Sequence, residues 1–325
     1  MSPEEILEKE IQKLNLPDNP PRLYDPIRHT LKSGGKRLRP TLTLLGCELS
    51  GGDPQNAVPA ALAVELIHNF TLIHDDIMDD ADTRRGAPTV YRKWGTNDAI
   101  LSGDMMFALG FEQLNRYKEF EEIGKERYGI LFETLLSGVR TVCEGQSRDM
   151  SFETEQEITL DDYFTMIGQK TAALLQTSIQ LGAIVGGAER EEIEKIGQIA
   201  YDAGIAFQVQ DDLLDAVGDY EKLGKTIGGD IREQKKTCLY VAALELGEER
   251  HRKQLQYWYS QEFSISEEQS REIVGIFKST GAIDKAEELL QYYYQRAVNQ
   301  LEEFDTNTSS QKIKRLLDQL RFREN

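Results

Sequence analysis

Three features of this 325-residue chain predict an all-α fold. No region keeps a sustained period-two alternation of apolar and polar residues, so strands have no signal. Apolar residues recur instead at helical spacing in long runs. The clusters "NPPR" at Asn19, "GGDP" at Gly51, "RGAP" at Arg85 and "GGAE" at Gly186 separate those runs without any change of composition. No repeat of solenoid length is visible. With 39% hydrophobic residues the chain can bury a substantial core, and length alone does not choose between one large domain and two. The absence of a linker points to one domain over residues 1–325.

The elements follow in chain order. "MSPEEILEKEIQKL", from Met1, is a charged amphipathic helix without the apolar centre of a signal peptide. "GGKRLRP", Gly34 to Pro40, reads by itself as a solvated turn and helix start, although its cations also suit phosphate. "AALAVELIHNFTLI", Ala60 to Ile73, places Ala61, Val64, Ile67 and Thr71 at helical spacing with no breaker before Gly86, the pattern of a mostly buried helix. It runs into "HDDIMDDADTRRG", His74 to Gly86, where Asp75, Asp76, Asp79, Asp80 and Asp82 precede Arg84 and Arg85.

Carboxylates three or four apart on a helix repel by a few tenths of a kcal/mol, and such runs are usually solvated. Here they end a buried helix. On an ideal helix His68, Asp75 and Asp79 fall within about 40° of one another, with Asp76 about a quarter turn away. Half-buried carboxylates must be paired, protonated or bound to metal, and oxygen ligands suit Mg²⁺, which completes its shell with water and substrate phosphate. The same D-D-x-x-D spacing returns as Asp211, Asp212 and Asp215 in "GIAFQVQDDLLDAVGDYEKLGK", Gly204 to Lys225, again after an apolar helical run and with Gln208 on the face of Asp215. Basic residues flank both copies. Two such clusters on either side of a cavity would clamp a polyphosphate through metal ions.

No window of 18 apolar residues is apparent, so no transmembrane helix is expected. Cys47, Cys143 and Cys238 have no metal spacing and read as reduced thiols of a cytoplasmic protein. A net charge of −18 argues against a nucleic-acid partner. It also requires that cations screen the carboxylates wherever a diphosphate binds.

In order, "GGKRLRP", "ELIHNFTLIHDDIMDDADTRRG", "LSGD" at Leu101, "GQSRDM" at Gly145, "KTAAL" at Lys170, "FQVQDDLLD" at Phe207 and "GKTIGGDI" at Gly224 resemble the landmarks of the trans-isoprenyl diphosphate synthases, in particular their short-chain archaeal branch. The resemblance runs over nearly the whole chain. Only the two ends, roughly the first 15 and last 40 residues, carry no family signal and read as dispensable. It implies one large helical bundle around a central cavity, a homodimer, and Mg²⁺-dependent condensation of isopentenyl diphosphate with an allylic diphosphate (dimethylallyl, geranyl or farnesyl).

Site residues are carried over position by position. The resemblance implies that Asp75, Asp79 and Asp211 ligate three Mg²⁺ ions, with Mn²⁺ able to substitute, and that Asp76, Asp212 and Asp215 support them. Arg84, Lys170, Lys225 and Lys235 stabilise the departing diphosphate, with Thr171 and Gln208 as hydrogen-bonding neighbours. Lys36, Arg39, His68 and Arg85 hold isopentenyl diphosphate without metal. No protein base is implied. "EQKKT" at Glu233 departs from the usual pattern and leaves open whether Lys235 or Lys236 reaches phosphate. Lys170 and Thr171 could instead merely begin a helix, and Asp104, Gln146, Asp149 and Asp230 could be caps.

A class I terpene cyclase shares the first motif but lacks the cationic set at Lys36, Arg39 and His68. A non-catalytic partner subunit would lack one or both aspartate motifs, and both are intact here. For product length, Thr71 lies four residues before Asp75 and is small. Phe70 lies five before, about 7.5 Å down the axis, and is the bulky candidate stopper by resemblance to geranylgeranyl diphosphate synthases. Geranylgeranyl diphosphate is the expected main product, with farnesyl diphosphate as intermediate or co-product and a farnesyl or bifunctional synthase as the alternative.

Overall fold

A computed structural model describes residues 3–155, 157–218, 228–261, 265–304 and 308–321. They are helical almost throughout, as the patterning predicts. The chain divides into two units, Met1–Val139 with Thr177–Gly197, and Arg140–Gln176 with Gln198–Asn325.

In the first unit, helices α1 (Pro3–Gln12), α2 (Pro21–Lys32), α3 (Leu38–Leu49), α4 (Val58–Met78), α5 (Val90–Trp94) and α6 (Thr96–Asn115) are joined by the leading part of α7 (Gly124–Phe152). Leu7, Ile27, Leu44, Leu62, Leu66 and Met106 form its core. The N-terminal end, which carries no family signal, is nevertheless part of the fold: Ile6, Leu7 and Ile11 of α1 are all buried. Helix α4 packs on α3 and α6 and is buried on every side from Val58 to Ile67. Together with the 3-10 turn before it, Pro54–Ala57, it makes a stretch, Pro54–Met78, long and apolar enough to cross a membrane by length and hydropathy, which corrects the reading that no such window exists. The window is 72% buried against the protein itself, as a core helix is.

Helix α4 stops at Met78, short of the Gly86 that the missing breakers suggested. Asp80 turns left-handed at φ 50°. The Ala81 N–H donates to the Asp76 carbonyl and the Asp80 N–H to the Ile77 carbonyl, the double closure of a Schellman end. Carboxylates crowded at the negative end of a helix dipole oppose further turns. Beyond it runs the one strand pair among the described residues, β1 (Thr83–Arg84) antiparallel to β2 (Ala87–Pro88).

The second unit holds the rest of α7, α8 (Leu160–Ile167), a π turn at Gly168–Ala172, the start of α9 (Ala173–Gly186), most of α10 (Arg190–Val217) and the helices that follow to Arg321. Thr159 and Asp162 close a capping box at the start of α8. Tyr163, Ile167, Val209, Leu239 and Phe277 belong to its core. Asp202 of α10, with no exposed surface, is gripped by both arms of the Arg296 guanidinium and by the Gln198 amide at 2.8 Å. Arg296 is itself 37% exposed, and Asp202 would keep the Gln198 amide, so stranding this carboxylate costs less than the loss of a partner in a fully buried pair. Arg296→Met should lose about 1–3 kcal/mol of stability in a urea titration; a change below about 0.5 kcal/mol would remove the pair from the account.

Candidate active site

In the first unit the cations converge where α3 begins. Arg37 caps α3 in the left-handed region, φ 45°. Its guanidinium turns inward, to Glu65, to Glu8 at 3.1 Å and to the Leu31 carbonyl at 2.7 Å. With Arg37 committed to the interior, Lys36 stays exposed and Arg39 stands half-buried one position into the helix. Arg39 Nη1 lies 3.2 Å from His68 Nε2. Burial, and then the charges of Arg39, Arg85, Arg84 and Arg37, push His68 well below its ordinary value, so the ring is neutral at neutral pH and Nε2 accepts from the guanidinium. Burial lowers Arg39 to about 10, with Glu65 opposing and Arg85 adding to the fall, and it remains cationic. Its buried Nε has no hydrogen-bond partner among the described residues, a donor left for an anion.

Arg85 reaches this group from the hairpin. It donates to the Gly34 carbonyl and lies over Gly35, where a Cβ would come within 2.7 Å of the guanidinium carbon. Gly35 also has φ 136°, a second reason for glycine there. The surplus acids of the run anchor the hairpin: Arg92 pairs with Asp82 at 2.6 Å and Asp80 at 3.1 Å, and the Tyr91 hydroxyl donates to Asp80. The sequence reading gave Asp80, Asp82, Tyr91 and Arg92 no role. An arginine ten or twelve residues downstream becomes legible only once the hairpin is known.

The first aspartate cluster separates by burial. Asp75, on the last turn of α4, is half-buried and Asp79, at its C-cap, is exposed, whereas Asp76 is buried and takes Arg84 Nε at 2.6 Å. Burial raises the Asp76 carboxyl and the arginine charge holds it down. Arg84 is therefore engaged with an aspartate. Thr71 donates its hydroxyl to the His68 carbonyl at 2.8 Å. The Phe70 ring stands edge-on to His74 at 4.9 Å and Phe107 at 5.5 Å. Asp104 is exposed, 3.9 Å from His74.

The second unit repeats the separation. Asp211 is exposed and Asp212 buried. Asp212 accepts from the Tyr163 hydroxyl at 2.6 Å, the Cys238 N–H at 2.9 Å and the Gln208 amide at 3.1 Å. Burial still pushes it up to about 6 against those three bonds. Asp215, half-buried, accepts the Asp230 N–H at 2.9 Å, and burial together with Asp215 and Asp212 pushes Asp230 up to about 7. Gln208 thus serves Asp212 and accepts from Thr171 at 3.0 Å. The Lys235 amine pairs with Glu233 at 2.7 Å and lies 3.7 Å from Asp230, whereas the Lys236 amine donates to the Glu155 carbonyl, so of the two Lys235 is the one beside Asp230. Lys225 lies outside the described residues.

Lys170 and Thr171 do not begin a helix. They sit in the π turn between α8 and α9, a form that concentrates at functional sites. The Lys170 ammonium pairs with Asp149. A Cβ at Gly145 would strike the Lys170 backbone nitrogen at 2.3 Å, so only glycine lets α7 come this close to the turn.

Among the described residues no three His, Cys, Asp or Glu side chains form a protein-only metal cage. The carboxylates of each cluster, taken by itself, nevertheless suit a hard cation that takes its other ligands from substrate and water. Oxygen donors reach the surface at Asp79 and Asp211. Burial first, and then neighbouring carboxylates, Asp211 at Asp215 and Asp215 with Asp212 at Asp230, raise two acids near the end of α10, where negative charge is in excess.

The profile of the family described as polyprenyl synthetase matches residues 20–276. The short chain isoprenyl diphosphate synthase of Methanocaldococcus jannaschii is 42% identical over 261 residues, 80% of this chain and 78% of that protein. The geranylgeranyl pyrophosphate synthase of Geoglobus acetivorans is 36% identical over 315 residues, 97% and 95% of the two chains. A solved geranylgeranyl pyrophosphate synthetase from Pyrococcus horikoshii Ot3 superposes with a TM-score of 0.92 at 36% identity, covering 99% of this chain and 96% of that one.

Proposed function

This chain belongs to the polyprenyl synthetase family, and from that premise we propose that it is a Mg²⁺-dependent prenyltransferase. It condenses isopentenyl diphosphate with dimethylallyl, geranyl and farnesyl diphosphates, and its main product is geranylgeranyl diphosphate. The observation that carries this reading is a cationic group that, among the described residues, is bonded to no carboxylate, its nearby acids Glu65 and Asp76 being taken by Arg37 and Arg84: exposed Lys36, the buried Nε of Arg39, neutral His68 and Arg85. Such a group takes a second diphosphate without metal, which a cyclase does not need.

Asp75, Asp79 and Asp211 would hold the ions, three in this reading, and bound Mg²⁺ would offset the charge that develops on the departing diphosphate. Asp76, Asp212 and Asp215 orient those ligands. Lys170, Lys225, Lys235 and, once released by Asp76, Arg84 take up leaving charge, acting as placed electrostatics. Arg39 and Arg85 bind the diphosphate of isopentenyl diphosphate, and His68 holds Arg39. The proton lost after bond formation goes to the released diphosphate, so no side chain is assigned as base.

Incubation with labelled isopentenyl diphosphate and an allylic primer tests the reading: elongated diphosphates support it, and a cyclised hydrocarbon or no turnover without a partner chain overturns it. Arg39→Ala and Lys36→Ala should raise the apparent KM for isopentenyl diphosphate by about tenfold, the worth of one charge-assisted contact, and that for the allylic diphosphate far less. Equal effects on both substrates would dissolve the assignment.

A further inference from the structure

Asp212 is bonded on every side to protein. Three donors from three different segments meet on one buried carboxylate: the Tyr163 hydroxyl from α8, the Gln208 amide from α10 and the Cys238 N–H at the start of the helix Cys238–Leu246. Each segment carries a group assigned to phosphate or metal. Tyr163 lies seven residues before Lys170, on the helix that leads into the π turn. Gln208 also accepts from Thr171 inside that turn. Cys238 follows Lys235 by three residues, and Asp211 adjoins Asp212 itself. The Tyr163 ring is 1% exposed, with its hydroxyl 2.6 Å from the carboxylate, so the bond is shielded from water, where a single hydrogen bond counts most.

We propose that Tyr163 is a positioning residue, which acts through Asp212 to hold the π turn, the second aspartate cluster and the Lys235 loop in one arrangement for the metal-bound diphosphate. Packing alone does not require the hydroxyl: Phe fills the same volume. Nor is Gln208 enough, since its amide reaches only the other carboxylate oxygen, Oδ1, and leaves Oδ2 to Tyr163 and Cys238. The proposal rests on the assignment of this cluster to the allylic diphosphate, and its test separates the two.

Calorimetric binding of inorganic diphosphate, with and without Mg²⁺, reads the site apart from turnover. Tyr163→Phe should weaken the Mg²⁺-dependent component by about tenfold, the effect of one buried bond to a charged acceptor, and leave the apparent KM for isopentenyl diphosphate within twofold. In an Asp212→Asn background the same substitution should add less than twofold, because it acts through that carboxylate. The rise in melting temperature on adding Mg²⁺ and diphosphate gives the same reading for a destabilised variant. Mg²⁺-dependent binding that Tyr163→Phe leaves unchanged, even with a lowered melting temperature, overturns the positioning role alone. A full tenfold effect in the Asp212→Asn background overturns its route through Asp212. No Mg²⁺-dependent binding by the unaltered protein overturns the site assignment and the proposal with it.

Discussion

Asp75→Asn and Asp211→Asn are each expected to cut turnover by about a hundred- to a thousandfold or more at saturating Mg²⁺, the scale of losing one placed electrostatic contact to a developing charge. Each exchange removes a charge while keeping shape, at a carboxylate that is half-buried or exposed, so the melting temperature should hardly move. The neighbouring exchanges should behave differently. Asp212→Asn would set its amide N–H against a donor whichever way it turns, Tyr163 and Cys238 on one side or Gln208 on the other, and should lose about 1–3 kcal/mol of stability. Steady-state kinetics beside urea titrations for the variants checks the contrast. If Asp75→Asn or Asp211→Asn keeps near-normal turnover, the two-cluster reading is wrong.

Product length should respond as strongly at the wall of α4. Phe70→Ala is expected to move the main product beyond geranylgeranyl diphosphate, and Thr71→Phe to move it toward farnesyl diphosphate. An ideal helix sets Phe70 about 140° from the Asp75 face, which by itself argues against contact with a tail descending from the metals. The neighbours give it a second meaning: it begins a file of rings, Phe70 to Phe107 at 5.5 Å, Phe107 to Phe111 at 5.0 Å and Phe111 to Phe132 at 5.3 Å. Removing the first ring opens space bounded by Phe107, so the gain should be short and not open-ended. Thr71 has its hydroxyl tied to the His68 carbonyl, and Phe there would stand one turn from Asp75. Chromatography of the dephosphorylated alcohols reads both variants, and unchanged lengths in both would remove α4 from chain-length control.

The pattern of elements was legible because core helices repeat at 3.6 residues and nothing alternates at two. Both aspartate clusters stood out because their spacing is local, whereas "GGKRLRP" reads by itself as a solvated turn and took a phosphate role only from the resemblance. What escaped the sequence was set by distance along the chain. The end of α4 at Met78 depends on a left-handed Asp80, which no breaker announces. The bond between Tyr163 and Asp212 joins positions 49 apart, and a tyrosine in "LDDYFTMI" carries no local mark of it. The π turn at Lys170 is likewise invisible to periodicity, because one extra residue looks like an ordinary irregularity of spacing. Membrane-like hydropathy in α4 was missed because the charged residues at its end mask a window that is apolar on average.

The inward-turned Arg37 bears on how this enzyme can be recombined with its relatives. Arg37 and Glu65 are both almost wholly buried, and Glu65 also accepts the Asn69 amide at 2.8 Å. A chimera that takes the loop before α3 from one parent and α4 from another inherits half of this lock unless both parents carry it. The orphaned charge would then cost about 3–5 kcal/mol, a large share of what holds a domain together. Glu8 extends the lock to α1. Crossover points that respect it lie after Met78, so that α1 through α4 travel as a single inheritance, and product-length walls are best exchanged as point substitutions within that block.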